Sequence, residues 1–228
     1  MYVPNYIPDP IEISGNVTQQ PYMVRLDFIK RVASFHCLSL LVVLGFSYSP
    51  IALPAKYSWV PLAGLILALA MVRILLRRTP KEALVSTILL PVLLVSVGLA
   101  LNPLQHAGWP IWLASFGPYF ALIYAMLCGR DFSFLGQYFL SLIASSTLIA
   151  ALSVGAAISR EDSQFGLIAN AAYLTYWVYD LASLLARRRL GEELAAVVDL
   201  YRDVLNIFGY VFRCIGHWRK HRIWVLPK

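Results

Sequence analysis

Charged residues in this chain fall into short clusters, and the runs between them are long and apolar. No Asp, Glu, Lys or Arg occurs in residues 32–55, 83–128, 132–159 or 163–179. A helix needs roughly 20 mostly apolar residues to cross a hydrocarbon core, and the second of these runs is long enough for two crossings. Backbone polar groups inside lipid must bond to one another, which leaves only helices or closed barrels. A barrel would show short segments of alternating polarity, and none is present. The pattern predicts seven helical segments, at 32–53, 57–76, 83–101, 109–127, 132–158, 164–186 and 194–215. Asn102-Pro103 predicts a turn after the third. Ser141, Ala144, Ser145, Ser146 and Gly155 fit the fifth for close helix packing. Residues 1–24 read as a polar tail in which Pro4, Pro8, Pro10 and Pro21 block regular helix. Residues 25–215 form the transmembrane domain, and residues 216–228 form a basic C-terminal tail.

The seventh segment differs from the others. Asp199, Asp203, Asn206 and Tyr210 follow an i, i+4, i+7, i+11 course and make one polar stripe. Val204, Phe208, Val211 and Phe212 occupy the opposite side. Either a helix lying in the headgroups or one buried among other spans, with its stripe facing a cavity, produces this pattern.

Composition agrees with the membrane reading. The chain is 59% hydrophobic and 14% charged, whereas soluble domains carry about 45–50% apolar and about 25% charged residues. The net charge of +7 does not point to nucleic acid, because the positive residues flank the apolar segments, where they set topology. With seven crossings, Arg25, Lys30, Arg31, Arg77, Arg78, Lys81, Arg130, Arg187, Arg188 and Arg189 share one side. Lys56, Arg160, Arg219, Lys220, Arg222 and Lys228 share the other, so the N-terminus is expected in the cytoplasm. A re-entrant seventh segment would move the last four to the more basic side, and charge alone prefers that arrangement. The N-terminus lacks the order of a signal peptide, so the first span is expected to direct insertion and be retained. The expected setting is a bacterial inner membrane, or an organelle membrane in a eukaryote. Cys37, Cys128 and Cys214 show no metal or disulfide spacing and read as small apolar residues.

The candidate chemistry centres on Asp180 and Asp203, two acids set well inside hydrophobic segments, where an ionisable group is costly and usually functional. Asp180 lies eleven residues before Gly191 and Asp203 twelve after it. If segments six and seven form an antiparallel hairpin, these arms bring the carboxylates to one depth, roughly 16 Å from the turn and near the middle of a ~30 Å core. The two are expected within reach of each other, directly or through one water. Tyr173, Tyr176 and Ser183 share the face of Asp180. Paired carboxylates in a poor solvent tend to share a proton, and when deprotonated they are hard ligands suited to Ca²⁺. Asp180 and Asp203 are therefore the candidate ion- and proton-sensing pair, with Ca²⁺ as ligand or permeant ion and no other cofactor. The alternative is a structural ion pair with Arg202, Arg73 or Arg78. Arg73 can equally snorkel to the basic end of its segment. His36 stands alone and reads as a packing histidine rather than a metal ligand. No nucleophile motif, HExxH pair or phosphate loop occurs, and the chain is not expected to be an enzyme.

Several stretches resemble the Bax inhibitor-1, or transmembrane Bax-inhibitor-motif, family. They are Tyr179-Asp180-Leu181, the run from Asp199 through Arg202-Asp203 to Phe208, the Asp131–Gly136 opening of segment five, and Phe28-Ile-Lys-Arg31. The resemblance implies a seven-helix bundle with the last helix central and a pH-sensitive calcium leak. It places the family's paired aspartates at Asp180 and Asp203, and a latching arginine at Arg77 or Arg78. It also favours a full seventh span over a re-entrant one. Two positions depart from the family pattern, with Arg202 where leucine is usual and Asp199 where small or apolar residues are common. An inward Arg202 would hold the pair ionised and oppose cation entry, while Asp199 looks too close in sequence to partner it well. Two functions follow: a calcium leak gated at Asp180 and Asp203, or a non-conducting accessory subunit of a larger membrane complex. In the second, residues 1–24 and 216–228 would hold protein partners through residues such as Tyr2, Tyr6, Trp218 and Trp224.

Overall fold

A computed structural model describes residues 13–51, 54–76, 79–129, 135–204 and 215. Arg77, Arg78, residues 1–12, the 131–134 part of the segment-five motif, and Asn206, Tyr210, Cys214 and the tail 216–228 lie outside the described residues. The described chain is all-helical: α1 Tyr22–Ser47, α2 Val60–Leu75, α3 Pro80–His106, α4 Phe116–Cys128, α5 Leu135–Val154, α6 Arg160–Arg187 and α7 Glu193–Val204. Short 3₁₀ turns at Val17–Gln19 and Ile111–Ser115 lead into α1 and α4.

The polarity of the bundle is that of a protein in lipid. Its outer surface carries Leu38, Leu67, Leu127, Ile143 and Ile168, each at least half exposed, while His36, Ser86, Asn102, Ser145 and Asn170 are buried. Exposed apolar area on this scale is foreign to soluble monomers. Among the described residues, four segments have the length and composition to cross a bilayer: Tyr22–Ser47, Lys81–His106, Ile111–Cys128 and Gly136–Val154. The apolar α2 is shorter, at 16 residues. The 28-residue α6 is long enough but carries charge at both ends and Asp180 within.

Several boundaries differ from the sequence reading, and two of them bear on the packing. Asn102-Pro103 does not end α3, which continues to His106. Membrane helices tolerate proline when neighbours satisfy the freed backbone, and here Asn102 serves another purpose. Its Nδ2 donates to the carbonyls of Ser47 and Ser49 at 3.0 and 2.9 Å, closing the C-terminal end of α1. The tail expected over residues 1–24 also gives way early, since Asn16 and Val17 are fully buried and α1 opens at Tyr22.

Close helix contact depends on small residues. A Cβ at Gly98 of α3 would lie 2.4 Å from Cβ of Phe46 on α1, so only glycine permits this approach. On α4, the backbone N–H of Gly117 donates to Asn170 Oδ1 of α6 at 2.6 Å, and Asn170 Nδ2 donates to Ser145 Oγ of α5 at 2.8 Å. Asn170 thus joins three helices, and Ser145 serves it as an acceptor, a more specific task than the packing role expected of that serine.

The described part of α7 settles one alternative. Every residue from Ala195 to Asp203 is buried, and the helix packs against α1, α3 and α6. A helix lying in the headgroups would expose one side. This stretch is interior.

Candidate functional site

The site is built by the α6–α7 hairpin. Gly191 adopts φ 87° in the turn, a left-handed geometry that favours glycine, and it lets α7 fold back along α6 as the sequence spacing implied. The last turn of α6 and the residue after it supply Arg187 and Arg188, while α7 supplies Asp199, Arg202 and Asp203.

Arg187 joins the two predicted acids. Its Nη2 donates to Asp180 Oδ1 at 2.6 Å and its Nη1 donates to Asp203 Oδ2. Asp180 also accepts from Ser183 Oγ at 3.0 Å and from the Tyr176 hydroxyl at 3.4 Å, and the same hydroxyl donates to the Leu200 carbonyl at 2.8 Å. The carboxylates are therefore connected through a guanidinium held between them. The hydroxyls expected from Tyr176 and Ser183 are in place, whereas Tyr173 points to His36, with its hydroxyl 2.7 Å from Nε2.

A second cluster lies beside the first. Arg188 grips Asp199 with two bonds, Nε to Oδ2 at 2.6 Å and Nη2 to Oδ1 at 2.8 Å. It also grips Glu82, near the start of α3, at 2.6 and 3.1 Å. Burial opposes the charge on Arg188, but Asp199 and then Glu82 outweigh that cost, and its pKa stands above the usual arginine value. Arg73 of α2 reaches Asp199 Oδ1 at 3.2 Å. Of the two roles open to Arg73, pairing with an acid is the one observed, though the acid is Asp199.

Arg202 corrects the sequence reading. Asp199 was expected to be too close along the helix to partner it, yet Arg202 Nη2 binds Asp199 and its Nε donates to Asp203 Oδ1 at 3.1 Å. Residues three apart are neighbours on a helix, and a buried arginine folds back along its own helix to reach an acid. Arg202 is 6% exposed, and its Nη1 has no hydrogen-bond partner among the described residues. Glu192 also lies 3.9 Å from Arg188 and 4.0 Å from Arg189, so among the described residues the ion pairs join the five acids Glu82, Asp180, Glu192, Asp199 and Asp203 to the five cations Arg73, Arg187, Arg188, Arg189 and Arg202.

Sequence reasoning treated Arg187 and Arg188 only as topology markers and did not single out Glu82. The helical spacing of Asp180, Ser183 and Arg187 was a usable signal, because i, i+3 and i+7 share a face. No local spacing could place Glu82 beside Asp199. Among the described residues, no group of three or more His, Cys, Asp or Glu side chains is arranged to hold a metal ion. Cys37 is buried and Cys128 exposed, and both are free thiols.

An apolar helical bundle around a buried acid–arginine cluster defines a multi-pass membrane protein. The chain is similar to the LIFEGUARD proteins of Arabidopsis thaliana. It matches Protein LIFEGUARD 3 with 29% identity over 84 residues, 36% of this chain and 34% of the relative. Protein LIFEGUARD 1 matches with 28% identity over 94 residues, 41% of this chain and 40% of the relative. Protein LIFEGUARD 4 matches with 30% identity over 81 residues, 35% of this chain and 33% of the relative. The matched stretch thus spans about a third to two-fifths of each of these relatives. No family model and no solved structure matches the chain. The LIFEGUARD matches support a divergent member of the transmembrane Bax-inhibitor-motif family.

Proposed function

We propose that the chain is a seven-span integral membrane protein in which Asp180 and Asp203 form a proton- and calcium-responsive gate, held shut by arginine. The observation that carries this reading is one guanidinium, Arg187, bound to both acids. Positive charge between the carboxylates occupies the oxygens a Ca²⁺ ion would need, and it lets both acids ionise together. Arg202 adds a second positive charge on Asp203. Calcium in this reading is the permeant ion, and a path past the pair opens only when Arg187 leaves. Acidification favours that departure, because protonating either acid removes one of the charges that hold the guanidinium.

The accessory-subunit reading also has support, since a network with as many arginines as acids can serve as static packing. Residues 13–20 already pack on their own chain, so partner contact in that reading falls to residues 1–12 and 216–228. The discriminating measurement is calcium flux in purified proteoliposomes across pH 6 to 8, comparing the native chain with Arg202→Leu. The gate reading expects a silent native protein near neutral pH and a pH-dependent leak in the variant. Equal leaks from both would remove Arg202 from the lock. Silence from both would give first place to the accessory subunit.

Seven spans, with the N-terminus cytoplasmic, require the termini to lie on opposite faces. Reporter tags at Tyr2 and Lys228 are expected to report opposite sides. Both on one side would restore a re-entrant last segment.

A further inference from the structure

Helix α6 ends at the two arginines that neutralise the site, and a helix end leaves its last carbonyls without intrahelical partners. Here the N-terminal segment supplies partners. The backbone N–H of Ile13 donates to the Ala186 carbonyl at 3.1 Å, and that of Val17 donates to the Arg188 carbonyl at 3.0 Å. In return, Arg189 Nε donates to the Ser14 carbonyl at 3.1 Å. The segment is itself stiffened by Asn16, whose Nδ2 donates to the Ile13 carbonyl at 2.9 Å and whose Oδ1 accepts from the Thr18 N–H at 3.0 Å. Val17 anchors it in the main core beside Phe28 and Leu184, with no exposed surface.

These ties bracket Arg187 and Arg188. The carbonyls of residues 186 and 188 are fixed by a strand of chain that is remote in sequence, so the backbone from which both guanidiniums extend is fixed as well. The side chain of Arg187 reaches seven residues back to Asp180 while also crossing to Asp203. A small rotation of its backbone would break one bond or the other. We propose that residues 13–20 are a strap that positions Arg187 and Arg188, keeping the acid pair neutralised, and that loosening the strap releases the pair. This rests on the arginine-held gate argued above.

The test removes one tie and leaves an apolar residue at the anchor position. Asn16 has φ −70° and ψ 168°, an extended geometry that a following proline accepts, and proline suits the first position of a helical turn. Val17→Pro in the full chain therefore deletes the N–H donor to Arg188, and Val17→Ala, which trims the buried side chain but keeps the N–H, is the control for lost packing. Two readouts are taken in lipid, with thermal unfolding checked first: backbone hydrogen exchange over residues 184–192, and calcium flux from pH 6 to 8 beside Arg202→Leu. Loss of one hydrogen bond is expected to speed exchange about fivefold or more, and flux near neutral pH is expected to rise severalfold above the native level. Unchanged exchange would overturn the strap outright. Faster exchange without leak, while Arg202→Leu does leak, would overturn the strap as the holder of the gate and leave the gate standing. If Arg202→Leu is also silent, the gate reading has failed, and the exchange result alone then decides whether the strap positions the turn.

Discussion

Replacing Arg188 with methionine lowers the stability of the folded chain by about 3–5 kcal/mol, the usual cost of stripping one partner from a buried ion pair. Methionine keeps the length of the side chain and roughly its volume, so lost packing contributes little. The loss comes from what is left behind. Glu82 is 9% exposed, and Arg188 is the only cation with which the described residues show it paired. Asp199 loses two of its bonds but keeps Arg73 and Arg202. The uncompensated charge is therefore mainly that of Glu82, and this makes the prediction specific. Glu82→Gln added to Arg188→Met should restore more than half of the lost stability, whereas Asp199→Asn should restore less, because it leaves Arg202 and Arg73 short of an acid. A double-mutant cycle by thermal unfolding in nanodiscs measures the difference. If Asp199→Asn rescues better, Asp199 rather than Glu82 is the dominant dependent charge.

The sequence carried the architecture well for physical reasons. Long uncharged runs announce crossings because lipid tolerates neither charge nor open backbone, and α1, α3, α4, α5 and α6 each overlap one of those runs. The hairpin and its acids were also legible. Gly191 marked the turn, and equal arms set Asp180 against Asp203, since helical rise is constant. The partners of the acids were less legible. An arginine triplet after a hydrophobic helix has a sufficient explanation in topology, and that explanation hid the second role of Arg187 and Arg188. Glu82 and Arg73 converge on the turn from separate helices, and such convergence leaves no local periodicity. The same holds for residues 13–20. Their polar residues, between Pro10 and Pro21, read as a free tail, but Val17 is an anchor that nothing in the local pattern distinguishes from any other valine.

Arg187→Gln is expected to turn a neutral cluster into a calcium-binding one. Glutamine retains polarity and a donor but removes the charge between Asp180 and Asp203. Asp203 still has Arg202, and Asp180 still has Ser183 and Tyr176, so the fold survives with a penalty. Two carboxylates without a cation between them must then share a proton or take up another cation. Protons and Ca²⁺ compete for the same oxygens, and this fixes the direction of the pH effect. At pH 8 the variant binds Ca²⁺ and gains thermal stability from it, about 1.4 kcal/mol when free Ca²⁺ stands tenfold above its Kd. At pH 6 the shared proton occupies the site, and the gain shrinks. The native chain, with Arg187 in place, should show no calcium-dependent stabilisation at either pH. Mg²⁺ at the same concentration serves as the control for ionic strength and should stabilise the variant less, because it gives up its water reluctantly. Equal calcium stabilisation of native and variant chains would place the cation elsewhere in the molecule. A variant that ignores Ca²⁺ at pH 8 while remaining folded would show that Asp180 and Asp203 do not form a cation site even when freed, and would leave their pairing with Arg187 as structural packing.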